Sequence, residues 1–132
     1  MDLWESYKTS VFLCHQPLGN AINFAIISAQ NPLGDLKHRQ LNLTLDCQFE
    51  TRLKAEHLPY RRLIGASPDL SFQEQSWAVL CDKAKAIDLA LKFQQNAIYW
   101  VEAGELYLVP ALFADSEVYL GSYQSRQIYL SD

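Results

Sequence analysis

The run from Ala21 to Ala29, AINFAIISA, limits the fold of this chain more than any other segment. Nearly every residue in it is apolar, so both faces of the strand it forms must be covered, the pattern of a central strand rather than an edge. Ile22, Phe24, Ile26 and Ser28 share one face, and Asn23, Ala25 and Ile27 the other. The run then leaves the core through SAQNPLG, Ser28 to Gly34, where Pro32 and Gly34 end the strand. A buried strand that exits through serine, glutamine and asparagine places a polar junction at the mouth of its sheet.

The remaining elements can be set around that strand. Asp2 to Tyr7 reads as a short helical turn and Val11 to Cys14 as a first strand, followed by a loop from His15 to Asn20. Asp35 has the short acceptor of an N-cap for a helix from Leu36 to His57. Leu41, Leu45, Phe49 and Leu53 recur at four-residue steps and define its sheet-facing stripe, with Arg39, Asn42 and Asp46 beside it. Tyr60 to Ile64 reads as a strand and Gly65 to Gln73 as a loop. Glu74, Ser76, Ala78 and Leu80 then alternate with Gln75, Trp77, Val79 and Cys81 as a further strand. A second helix spans Asp82 to Gln95, with Ala84, Ile87, Ala90 and Leu91 on its apolar arc. Asn96 to Glu102 and Glu105 to Val109 form a hairpin turned by Ala103-Gly104, and Val118 to Leu120 and Gln127 to Leu130 are short strand candidates. The expectation is one α+β domain over residues 1–132, a mixed or mainly antiparallel sheet of five to seven strands with two main helices packed on it. A three-layer sandwich is the alternative that the apolar central strand keeps open.

Composition narrows the function classes. A net charge of -4 with scattered Lys and Arg argues against a nucleic-acid partner, whose phosphates are met by clustered cations. Arg61 and Arg62 are adjacent in a strand and so point to opposite faces. Tyr99, Trp100 and Tyr107 on the hairpin could stack bases, but without a basic groove a core or a tyrosine-rich edge explains them better. Three cysteines without a short C-x-x-C spacing suit reduced thiols and a cytoplasmic setting, and neither a signal peptide nor a membrane span is expected.

The same reading bounds the chemistry. His15, His38 and His57 lack the i, i+4 spacing of a helical metal site, so no metal is expected. The segment around Ser28 to Asp35 lacks the glycines of a phosphate-wrapping loop, so no cofactor is expected either, and an Asx turn accounts for Asn31. Glu74, opening a strand next to Ser76, stands out among the ionisable residues as a general base, a metal ligand or an acceptor for a ligand amine.

Four stretches carry a resemblance: Ser28-Ala29-Gln30-Asn31-Pro32, then Asn42 on the helix, then Glu74-Gln75-Ser76-Trp77, then Phe93-Gln94-Gln95-Asn96-Ala97. In this order, across about Tyr7 to Val109, the chain resembles the bacterial domain-of-unknown-function family three-two-nine-three, departing where Gln94 takes the place of a glycine. The resemblance implies no activity. It does imply that Asn31, Asn42, Glu74, Ser76 and Gln95 belong together, and Ser28 joins them by its phase on the strand. Such a set either locks a helix to a sheet or lines a pocket. The expectation is a binding module for a small polar ligand or a protein partner, with Ser28, Asn31, Asn42, Glu74, Ser76 and Gln95 as the site. An enzyme with Glu74 as general base is one alternative. A regulatory interaction domain using its tyrosine-rich terminal strands, for edge pairing or a homodimer, is another.

Overall fold

The computed structural model describes residues 2–19 and 21–130. Asn20, at the end of the expected loop, lies outside them. In chain order the elements are α1 (Leu3–Tyr7), β1 (Val11–Cys14), β2 (Phe24–Ser28), a 3-10 turn (Pro32–Gly34), α2 (Arg39–Ala55), β3 (Tyr60–Ala66), β4 (Gln73–Val79) and α3 (Lys83–Lys92). They continue with β5 (Ala97–Glu102), β6 (Glu105–Pro110), β7 (Val118–Ser122), a second 3-10 turn (Gln124–Arg126) and β8 (Gln127–Tyr129).

All eight strands join one mixed sheet in the order β7-β6-β5-β2-β4-β3-β1-β8. The described neighbours are antiparallel except β1 and β8, which run parallel with Leu13 opposite Ile128. The expected five to seven strands undercount the sheet because both short C-terminal segments find partners, β7 on β6 and β8 on β1. This topology also dictates shape. Strands about 4.8 Å apart would make a flat sheet of this order about 34 Å wide. Its outermost strands, β7 and β8, are nevertheless joined by Tyr123 to Arg126 alone, a link that reaches at most about 19 Å when fully extended. The sheet therefore curls until its edges approach, and Tyr123 on the closing link packs inside against Phe12 and Phe24.

Curling gives the sheet two unlike faces. Outside, Ala25, Ile27, Trp77, Val79, Ile98 and Trp100 form one apolar cluster with Phe49 and Leu53 of α2 and Ala86, Leu89 and Ala90 of α3. Burying a Phe or Leu side chain completely is worth about 1.5–3 kcal/mol, so Phe49 and Leu53, both fully buried, anchor α2 there. Inside, Phe12, Phe24, Ile26, Leu63, Val101 and Leu106 form a second cluster with Tyr123. With both long helices on one face, the three-layer alternative does not apply.

Several local expectations shift. β2 starts at Phe24 because its neighbours end there: Phe24 is already opposite Val101 near the end of β5, and Ile22 is exposed. Asn23 instead accepts a hydrogen bond from Ala103 N in the hairpin turn through its Oδ1, 3.1 Å. The chain does not enter α2 at Asp35; after the 3-10 turn the helix begins at Arg39, with His38 before it giving no side-chain cap. Its buried line is Asn42, Phe49 and Leu53, whereas Leu41 is exposed, so the asparagine expected at the flank is on the packed face. On α3 the buried arc is Ala86, Leu89 and Ala90, while Ala84 and Leu91 face outward. Asp82 caps this helix by accepting from Lys85 N at 2.7 Å. The hairpin turn has Ala103 at φ 51° and Gly104 at φ 79°, the paired left-handed residues of a two-residue type I′ turn.

Candidate functional site

The polar exit of β2 and the start of β4 meet at one end of the curled sheet. Ser28 is paired with Ser76, and Gly65 on β3 with Glu74, so Ser28, Ser76 and Glu74 stand together on the inner face. Gly65 leaves space above the Glu74 backbone, since a Cβ there would lie 3.4 Å from Ser76 Oγ.

Asn31 ties this end of the sheet to α2. Its backbone is left-handed, φ 50°, which asparagine tolerates better than most residues. Its own N–H donates to Asn42 Oδ1 at 2.9 Å, and Asn42 Nδ2 donates back to Asn31 Oδ1 at 3.0 Å. Lys37 N donates to the same Oδ1, and Asn31 Nδ2 donates to Glu74 Oε2 at 2.9 Å. This is a junction across three elements and not the Asx turn expected of Asn31, because its side chain serves residues 37, 42 and 74.

Gln95 arrives from the other side through the end of α3. Gln95 N donates to Ala90 O and Gln94 N to Leu91 O, the paired bonds of a Schellman cap, with Gln94 left-handed at φ 54°. The departure from the family pattern thus falls on the one backbone position of that cap where glycine carries no strain. The cap aims Gln95 back across the sheet, and its Nε2 donates to Gln30 O at 3.0 Å and Phe93 O at 3.2 Å. Leu33 N completes the connection by donating to Gln94 O at 2.8 Å.

A cavity of about 490 Å³ opens on the inner face beside this junction. Ser28, Asn31, Glu74, Ser76 and Gln95 line it; Asn42 stands behind Asn31 and holds it. All six residues singled out in the sequence are therefore brought together, five at the cavity and one in support. Phe12, Ile26, Phe72 and Leu108 form apolar wall, and Leu3 and Tyr7 of α1 cover one side.

The electrostatics are one-sided. Burial pushes the Glu74 carboxyl above its ordinary value of 4.5; the side chains of Ser28 and Asn31 oppose this, and the charge of Asp46 adds to it. Asp46, which accepts from Gln30 Nε2 at 2.8 Å, is also raised by burial against the pull of Gln30 and Arg62, and its buried Oδ1 has no hydrogen-bond partner among the described residues.

Sequence reasoning missed the far wall. Tyr99 Oη lies 2.6 Å from Tyr7 O and 2.8 Å from Ser10 Oγ, and Asn96 Nδ2 donates to Tyr7 Oη at 3.1 Å. Tyr99 and Tyr7 are both pushed up, mainly by burial. The signal was present in strand phase: Tyr99 shares the inner face with Val101, whereas Trp100 and Tyr107 are cross-strand partners on the outer face. The three hairpin aromatics therefore form no common stacking platform. Cys14 is buried, Cys47 exposed, and burial pushes the Cys81 thiol up to about 11, which disfavours its thiolate. Among the described residues no group of His, Cys, Asp and Glu is arranged to hold a metal ion, and no helix is long and apolar enough to cross a membrane.

A family model described as Protein of unknown function (DUF3293) matches residues 27–98, more than half of the chain. That span runs from the end of β2 to the start of β5 and contains all six junction residues. No curated protein and no solved structure matches the chain.

Proposed function

The chain belongs to this family of unknown function, and from its geometry we propose that it is a binding module whose inner-face cavity takes a small ligand at the Asn31–Glu74 junction. The observation that carries the reading is a cavity of about 490 Å³, within the usual range of small-molecule sites, with a half-buried carboxyl on its polar wall and Phe12, Ile26, Phe72 and Leu108 on its apolar one.

Thermal-shift screening of a small-metabolite collection against the wild type and Ala97→Phe tests this. Ala97 lines the cavity at the start of β5 and is only partly buried, so a ring there takes up cavity space. A ligand at a hundred times its Kd stabilises by about 2.7 kcal/mol. Compounds that raise the wild-type melting temperature should fail on Ala97→Phe; shifts of equal size in both proteins would refute the cavity as the site.

The enzyme reading rests on one further observation, that the Glu74 carboxyl is held above its ordinary value inside an apolar-walled site, which suits a general base working nearer neutral pH. A regulatory contact through the terminal strands, including a homodimer, is favoured by the exposure of Tyr119 on β7 and of Ile128 and Tyr129 on β8, the two edge strands.

A further inference from the structure

Resting on the cavity reading above, we infer that the ligand is an organic cation with an apolar body, a primary amine or guanidine whose charged end seats against Glu74. The donors of the polar wall point inward: Asn31 Nδ2 to Glu74, Ser28 Oγ to Gln75 O, Ser76 Oγ to Glu74 O, and Gln95 Nε2 to two carbonyls. Toward the cavity the wall offers the acceptors of the Glu74 carboxylate and the Gln95 carbonyl beside the second N–H of Asn31 Nδ2, with the hydroxyls of Tyr7 and Ser10 as donors at the far side. A ligand complementary to that wall donates hydrogen bonds.

Charge selects among donors. Among the described residues no Lys, Arg or His forms an ion pair with Glu74 or Asp46. Arg62, the cation that bears on Asp46, is paired with Glu50 Oε1 at 2.8 Å and lies over Trp77, an outer-face residue. The titratable groups that bear on Glu74 are Asp46 from α2, Tyr7 from α1 and Tyr99 from β5, none of them cationic. Glu74, paired with no cation among the described residues and bearing the charge of Asp46 behind it, disfavours an anion and holds a charged donor more strongly than a neutral one. Phe12, Ile26, Phe72 and Leu108 meet the apolar body.

The test uses probes matched in shape and differing in charge: indole, phenyl and octyl bodies, each as the ethyl- or alkyl-linked amine, alcohol and carboxylate, titrated calorimetrically at neutral pH into the wild type, Glu74→Gln, Asp46→Asn and Ala97→Phe. For at least one body the amine should bind about tenfold or more tighter than its alcohol, with the carboxylate weakest. Glu74→Gln, which keeps an acceptor for Asn31 Nδ2, should bring amine and alcohol together, and Asp46→Asn should narrow the gap while leaving the fold's junction intact. Binding blocked by Ala97→Phe but indifferent to charge, or favouring the carboxylate, overturns the cation inference and leaves the cavity reading standing. No binding by any probe, or binding that Ala97→Phe leaves unchanged, overturns both.

Discussion

Removing the Asn42 side chain measures how the junction is held. Asn31 and Asn42 are each only 9% exposed, so solvent cannot replace what one loses when the other is truncated. Asn42→Ala deletes the 2.9 Å bond from Asn31 N and the 3.0 Å bond to Asn31 Oδ1. The second loss is softened, because Lys37 N still donates to that oxygen. The first leaves a buried N–H without a partner, a penalty of about 1–3 kcal/mol, and the second bond contributes about 1 kcal/mol, so the variant should lose about 2–4 kcal/mol. For 132 residues the unfolding entropy is about 0.28 kcal/mol/K, which converts that loss to about 7–14 °C in melting temperature. Asn42→Asp separates the two bonds. It keeps the acceptor for Asn31 N but turns the donor into a lone pair facing Asn31 Oδ1, and adds a third carboxylate beside Glu74 and Asp46. At neutral pH it should be at least as unstable as Asn42→Ala; near pH 4 and below, where the new carboxyl can carry a proton and donate, it should recover relative to Asn42→Ala. Urea and thermal unfolding followed by circular dichroism report both. A loss under about 0.5 kcal/mol for Asn42→Ala, the size of an ordinary surface substitution, would refute the mutual network.

Glu74 makes a linked prediction with the opposite sign. Burial holds its carboxyl above 4.5, so the folded protein keeps a proton that the unfolded chain has released, and stability falls as pH rises from the unfolded value through the folded one. Glu74→Gln should therefore gain stability on the wild type as pH climbs above 4.5 and lose that gain below it; a urea-midpoint difference independent of pH would contradict this. Gln94→Gly should stabilise by about 0.5–1 kcal/mol by relieving the left-handed residue of the α3 cap, and a loss of stability would show that the Gln94 side chain contributes more than its backbone costs. Gly34→Ala should destabilise by about 1–3 kcal/mol, because at φ +78° its Cβ would fall 2.5 Å from Leu3 Cδ1 and 3.0 Å from Asn96 Nδ2. An unchanged urea midpoint would mean that α1 moves freely aside.

How far such features could be read from the chain depends on whether they are local. The alternation Phe24-Ala25-Ile26-Ile27-Ser28 assigns inner and outer faces correctly because period 2 is a property of the strand itself. The hairpin at Ala103-Gly104 is equally local. α2 misled because hydrophobicity put Leu41 on the packed face, whereas Asn42 is packed: a fully partnered asparagine can be buried, and its partners lie eleven residues away in a loop. That Asn31, Asn42, Glu74, Ser76 and Gln95 come together was legible through the family resemblance, and Ser28 through its strand phase, whereas no single spacing revealed the junction. Tyr7, Ser10 and Asn96 escaped because they meet only through the curl, which is set by the pairing of β8 with β1 and the four-residue link after β7.

That link also divides the contacts of the fold by their reach along the chain. The polar junction draws on residues 28–95, so strands β2 to β4 and helices α2 and α3 can bring Ser28, Asn31, Asn42, Glu74 and Ser76 together without the pairing of β8 with β1. The enclosing wall draws on the far ends of the sheet: β1 already pairs with β3, and closure adds β8 to β1 and Tyr123 between Phe12 and Phe24. The contact between Leu13 and Ile128 spans nearly the whole chain, the kind of closure that slows folding. The anchor therefore rests on contacts closer in sequence than those that close the chamber.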